Sequence, residues 1–157
     1  MNLKNPLSWI STGLGSGLSP IAPGTVGSLL ALLIYYFFIE DFLVSWLDSL
    51  FFIFFIFVSF LLGLFIYPRT VEEDNDPGSF VWDEFIGMWI TCIPLSFIAT
   101  GDMYLVIAFF IFRLFDIWKP LGIKTLDQKH GGFYVMIDDV CAGFLGALVL
   151  VLLSFIF

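Results

Sequence analysis

Two stretches of the chain run for eighteen residues without a charge, 50–67 (LFFIFFIFVSFLLGLFIY) and 140–157 (VCAGFLGALVLVLLSFIF). The Phe-rich part of the first, 51–60, is apolar on every side, a pattern that means burial in lipid or in a bundle. At 1.5 Å per residue each stretch reaches about 27 Å, close to the roughly 30 Å hydrocarbon core of a bilayer. Three further apolar runs, 26–39, 85–100 and 103–115, are shorter. Their lengths suit buried or re-entrant segments as well as full crossings. The pattern predicts an all-α integral membrane protein, a compact bundle of about five transmembrane helices, some short or re-entrant, behind an N-terminal Gly/Pro-rich loop. The short helices are expected to be extended by polar residues that face protein rather than lipid.

Composition narrows the class further. Of 157 residues, 60% are hydrophobic, 20% aromatic and 13% charged. An ordinary soluble domain is roughly 25% charged, so a cytosolic globule and a disordered tail are both excluded. A net charge of −8 argues against nucleic acid as a partner, because phosphate backbones recruit Lys and Arg. The length fits a single domain over 1–157. Cys92 and Cys141 lie in apolar runs, where thiols behave as small hydrophobes. The N-terminal segment has no apolar core of signal-peptide length and is expected to stay attached.

Five passes in chain order would put Lys4, Arg69, Arg113, Lys119, Lys124 and Lys129 on one side, all the basic residues of the chain. The other side would receive Glu40, Asp41, Asp48 and Asp102 and no cation. The positive-inside rule makes the basic side cytoplasmic. That side also collects the remaining acids, and three groups recur at predicted helix ends. Asp83 and Glu84 (VWDEFIG) open the third span, Asp116 (FRLFDIWKP) closes the fourth, and Asp138 and Asp139 (MIDDVCAG) open the fifth.

Converging carboxylates raise one another's pKa unless a cation neutralises them. An oxygen-only ligand set suits Mg²⁺, Mn²⁺ or Ca²⁺, and one histidine with no cysteine pair gives little support to zinc. Acids near a helix N-terminus also favour the macrodipole, by roughly 0.3–1 kcal/mol each. Asp116 sits at a C-terminal end, where that account has the wrong sign.

Two further features bear on phosphate. The segment GLGSGLSPIAPGTVGS (13–28) leads directly into the first span, and its expected free backbone N–H groups would form an anion site at a helix N-terminus. Gly24 lies in its final turn, and Thr25 or Ser28 could cap the helix or reach a phosphate oxygen. It is not a P-loop, since no Gly-Lys-Ser/Thr follows. Arg113 and Lys119 flank Asp116 and are candidates to bind phosphate oxygens. Lys124 and Lys129 read as topology residues and His130 as a solvated loop residue. Trp9, Trp46, Trp82 and Trp118 lie near span ends, as in interfacial belts, with Trp89 inside a span. Gly63, Gly87, Gly143 and Gly146 are expected to permit close helix packing.

Taken together, GLGSGLSPIAPGTVGSLLAL (13–32), VWDEFIG (81–87), FRLFDIWKP (112–120) and GGFYVMIDDVCAG (131–143) resemble the phosphatidylglycerophosphatase A family, in the family's order and over nearly the whole chain. The resemblance implies a multi-pass enzyme of the bacterial cytoplasmic (inner) membrane that uses Mg²⁺. Its substrate would be a phospholipid within the membrane, phosphatidylglycerophosphate, dephosphorylated to phosphatidylglycerol. By motif, Asp83, Glu84, Asp116, Asp138 and Asp139 carry over as the acidic catalytic and metal site, and Lys119 and the Pro23-Gly24-Thr25 loop as substrate contacts. Region 33–80 resembles the family mainly in being apolar and then acidic. EEDNDPGSF departs from the family's pattern, so Glu73, Asp74 and Asp76 receive no role. A head-group phosphate on the cytoplasmic face would lie level with the helix-end acids. Attack by metal-activated water and direct attack by an aspartate both remain open. The competing class is a small cation- or proton-coupled transporter that uses the acids as an ion path, although such acids usually lie near the bilayer midplane.

Overall fold

The computed structural model describes residues 5–71, 78–98 and 101–156, and among them the chain is all-helical with no strand. Lys4 and the acids at 73, 74 and 76 lie outside the described residues. Helix α1 (Pro6–Ser11) is capped by Asn5, whose side chain accepts from the Leu7 amide at 3.0 Å. Helix α2 (Pro23–Ile34) starts on a proline, whose missing N–H costs nothing in a first turn. It runs on through a π-helical turn, Tyr35–Ile39, and a 3₁₀ turn, Glu40–Phe42. Helix α3 (Trp46–Thr70) begins with a reciprocal cap: the Asp48 amide donates to Ser45 Oγ and the Ser45 amide donates to Asp48 Oδ2. Helix α4 (Trp82–Cys92) passes into a 3₁₀ turn, Ile93–Ser96, where Pro94 has no N–H to continue the α-helix. Helices α5 (Met103–Trp118), α6 (Ile123–Asp127) and α7 (Gly132–Ser154) complete the chain.

Three segments are long and apolar enough to cross a bilayer: Pro23–Phe42, Trp46–Thr70 and Gly132–Ser154. Helices α4 and α5 are shorter, at 11 and 16 residues. The short apolar run 103–115 is lengthened to Trp118, whereas 85–100 gains three residues at its start but leaves the α-helix after Cys92. Helix α4 takes in Asp83 and Glu84, α5 takes in Arg113 and Asp116, and both Asp83 and Asp116 are buried. One end of the bundle is tied together by the Val81 amide, which donates to Ser11 O at 2.9 Å. There Asn5 Nδ2 also donates to Arg69 O at 3.3 Å. Helix α1 therefore meets the end of α3 with its start and the start of α4 with its end. Outside, phenylalanines such as Phe51, Phe54, Phe110 and Phe144 are exposed, while Ser49, Ser59, Gly63 and Thr70 face inward. Bulky residues toward lipid and small ones between helices is the membrane pattern.

Helix α4 is the centre, with every residue but Trp82 and Glu84 buried. It approaches α7 glycine to glycine: a Cβ on Gly143 would stand 2.5 Å from Gly87 O, and one on Gly87 would stand 2.7 Å from Asp139 O. Thr91 Oγ1 shares its proton between Gly87 O (3.0 Å) and Gly143 O (3.3 Å). Gly146 abuts Thr91, and Gly63 of α3 abuts Met136. Two indoles pin α4 sideways, Trp89 Nε1 donating to Ala31 O (3.0 Å) and Trp82 Nε1 to Ser59 O (2.9 Å). Trp82 thus packs between helices, whereas Trp9, Trp46 and Trp118 are exposed near helix ends. Trp82 stacks on Phe85, and Phe85 and Phe55 both lie against Trp89, making an aromatic layer just past the first turn of α4.

Substituting Gly143→Val forces backbone apart, since the obstacle is the Gly87 peptide rather than a flexible side chain. It is expected to cost about 2 kcal/mol, typical of overpacking, read as a lower unfolding midpoint in detergent. Gly101→Ala, whose Cβ meets nothing within 4 Å, is expected to leave the midpoint unchanged.

Candidate metal and phosphate site

Asp83 and Glu84 stand in the first turn of α4, and their partner comes from α7. A carboxylate oxygen from each of Asp83, Glu84 and Asp139 lies within 4.8 Å of the others. The glycine contact between α4 and α7 brings them together, because Gly87, one turn below Asp83, touches the peptide of Asp139 itself. Asp138 and Asp139 do not open their helix, as the sequence pattern suggested. Helix α7 starts at Gly132, behind a Gly131 with φ +107°. The two acids therefore lie about two turns in, beyond the first turn where the macrodipole acts. Dipole compensation accounts for neither of them.

The remaining acids are engaged by cations. Arg113 Nη1 meets Asp116 Oδ2 at 2.5 Å and donates to Ser28 Oγ at 3.2 Å. Asp116 in turn adjoins Asp139 and Glu84. Lys119 Nζ meets Asp138 Oδ2 at 2.5 Å and also Asp127. Burial opposes the charge on Lys119, and the carboxylates overcome it and hold the ammonium above the usual lysine range. Of the five expected acids, three converge, Asp116 borders them beside Arg113, and Asp138 is turned toward Lys119.

Glu84 and Asp139 take part in none of these ion pairs. Among the described residues, Glu84 Oε2 and Asp139 Oδ2 are buried without a hydrogen-bond partner. A buried anionic oxygen with no partner costs several kcal/mol. The all-oxygen trio fits a hard divalent cation, which would satisfy those atoms. Arg113 Nε is likewise buried and without a partner there, so the cation beside the acids retains a donor.

Glycine also shapes the α2 side. A Cβ on Gly24 would run into Glu84 Oε1 and stand 3.4 Å from Arg113 Nη1, so a side chain here would push the Glu84 carboxylate aside. Further back, Gly13, Gly17 and Gly27 wrap around Val81. The loop differs from the expected anion cradle. The Leu14 amide donates back to Trp9 O in α1, and those of Gly15 to Ser19 donate to carbonyls within the loop's own turns. The first-turn amides of Gly24 and Thr25 are the ones with no carbonyl within the helix to reach. Neither Thr25 nor Ser28 caps α2. The cap position is Ala22, left-handed at φ +47°, and Ser28 Oγ donates to Gly24 O at 2.7 Å. Thr25 sits half-buried in the first turn, next to Gly24. Lys124, Lys129 and His130 are exposed, Lys129 over the Tyr134 ring.

Two partnerships were not foreseen. Ser28 and Arg113 are 85 residues apart, and no local pattern joins them. Asp127 reaches Lys119 across a turn that begins at Pro120, and the one available signal was a carboxylate shortly after a proline-broken helix.

Comparison with known proteins bears on the whole assembly. Residues 9–154 match the model of the family described as Phosphatidylglycerophosphatase A. The chain is 42% identical over 151 residues to phosphatidylglycerophosphatase A of Escherichia coli (strain K12), covering 94% of this chain and 83% of that one. To phosphatidylglycerophosphatase A of Haemophilus influenzae it is 37% identical, covering 95% and 89%. To a Bacteroides thetaiotaomicron protein provisionally named phosphatidylinositol-3-phosphatase it is 39% identical, covering 85% and 84%. No solved structure matches the chain. With the match running from α1 to the end of α7 and taking in every acid around Glu84 and Asp139, the chain belongs to the phosphatidylglycerophosphatase A family.

Proposed function

We propose that the protein is a Mg²⁺-dependent lipid phosphatase that removes the terminal phosphate of phosphatidylglycerophosphate at the cytoplasmic face of a bacterial inner membrane. The observation that carries this reading is the trio Asp83, Glu84 and Asp139, with buried oxygens of Glu84 and Asp139 that have no hydrogen-bond partner among the described residues, set beside Arg113 and Lys119. Acids alone would repel a phosphate, and cations alone would bind one without activating it. The two kinds side by side suit phosphoryl transfer. The relatives named as phosphatidylglycerophosphatases support the glycerol-based head group. Arg69, Arg113, Lys119, Lys124 and Lys129 support the inner face by the positive-inside rule.

Asp83, Glu84 and Asp139 would hold the ion, which when bound supplies a Lewis acid for a phosphate oxygen and lowers the pKa of water. Arg113, anchored by Asp116 and Ser28, offers its remaining N–H groups to phosphate oxygens. Gly24 and Thr25 present first-turn amides beside Glu84, and the dipole of α2 adds to their pull on an anion. Lys119 stands over Asp138 at the rim. Water attacks phosphorus, the bond from phosphorus to the glycerol oxygen breaks, and that oxygen leaves with a proton as the lipid alcohol. The lipid need not be extracted from the bilayer. Below Asp83 on one face of α4, Ile86 and Ile90 line an apolar cleft of about 470 Å³ with Ile53, Phe57, Ile137 and Phe144, room for an acyl chain beside the acids.

Purified protein is expected to release phosphate from phosphatidylglycerophosphate with Mg²⁺ and to stop when EDTA is added, measured by phosphomolybdate colour. Asp83→Asn and Asp139→Asn are expected to lower kcat/KM by about a hundredfold or more. Release that persists in EDTA overturns the metal role, and a phosphorylated aspartate trapped by acid quench replaces water as nucleophile. Across a lipid panel, a phosphatidylinositol 3-phosphate is expected to react at least about tenfold more slowly. Equal or faster turnover of the inositol lipid would move the assignment to that head group.

A further inference from the structure

Lys119 carries two carboxylates, one more than its charge requires. Asp138 is its inner partner, with a side chain only 5% exposed, and needs a cation. Asp127, at the end of α6, meets the same ammonium from the solvent side with its side chain 39% exposed. A half-exposed pair of this kind adds little to stability, so holding the fold together does not explain it. The chain nonetheless accepts strain to make the contact. Lys119 and Leu121 are left-handed at φ +48° and +55°, around Pro120, and Gly122 follows at +88°. Non-glycine residues in that region cost of order 1 kcal/mol or more each. The tight turn sends the chain back through α6 and returns Asp127 to Lys119.

We propose that Asp127 is a positioning residue whose carboxylate occupies, on Lys119, the place that a substrate phosphate oxygen takes. On arrival of the head group, Lys119 keeps Asp138 and exchanges Asp127 for the phosphate, one oxyanion for another on the same donor with no proton moved. Until then Asp127 holds the ammonium at the rim, so that it does not fold back onto the acids of the trio. The proposal rests on the lipid-phosphatase reading, in which Lys119 at the rim meets the head-group phosphate.

The test uses the full chain in detergent with Mg²⁺. Removing the competing charge in Asp127→Asn is expected to lower both KM and the inhibition constant for orthophosphate about three- to fivefold, as for a partly exposed charge pair. Asp127→Glu is expected to restore wild-type values. A purely structural role predicts the reverse, since loosening α6 weakens phosphate binding. In a Lys119→Gln background Asp127→Asn is expected to change nothing, a double-mutant cycle that localises the effect. Unchanged or weaker phosphate binding in Asp127→Asn overturns the proposal. Orthophosphate binding is also read by ³¹P line broadening, independent of turnover. If no lipid is hydrolysed, the function reading fails while tighter binding in Asp127→Asn still supports the exchange.

Discussion

Carboxylates gathered inside an apolar bundle repel one another with little water to screen them, and the site end of this protein is organised by that constraint. Two cations enter the cluster, and each ties two helices together around the acids. Arg113 comes from the same helix as Asp116, three residues earlier, and reaches α2 through Ser28. Lys119 bridges α6 and α7 through Asp127 and Asp138. What these pairs leave uncompensated is concentrated on Glu84 and Asp139. The negative charge is thus pooled at one spot, whose oxygen-only groups could hold a divalent ion.

Pooling requires backbones closer than side chains normally allow. Helix α4 is short, yet it is the most buried element, because glycine at 87 and 143 lets its peptide groups touch those of α7. On its other flank, Gly24 lets the start of α2 sit on Glu84. Trp82 and Trp89 then fix α4 to α3 and α2 by single hydrogen bonds from their indoles. The geometry of the acid cluster and helix packing are therefore one problem here: a methyl group at Gly87 would displace Asp139, with no change in any acid.

Much of this was legible in the chain. Uncharged runs marked the long helices, and the acid-bearing motifs marked the residues that gather at one end. Close-packing glycines were readable as such, since small residues in apolar helices have few other uses. Helix starts were less legible. Gly131 and Gly132 lengthen α7 by two turns, which moves Asp138 and Asp139 from its tip into its body. The glycine-rich loop misled for a related reason. Its composition is the same whether its amides await a phosphate or close turns on themselves, and only the path around Val81 distinguishes the two. Pairings across long separations, Ser28 with Arg113 above all, depend on helix rotation, which apolar periodicity specifies poorly when every face is hydrophobic.

The apolar cleft beneath Asp83 has a consequence for the cell that houses this protein. Ile86, Ile90, Ile53, Phe57, Ile137 and Phe144 line the space below Asp83 with side chains that offer no polar group. A hydrated pocket of charge sunk into a bilayer is half of an ion conductor, and a proton that crossed the other half would discharge the membrane. Here these apolar side chains act as an insulator, so the protein can keep charged groups at one end of its bundle without short-circuiting the gradient across the membrane.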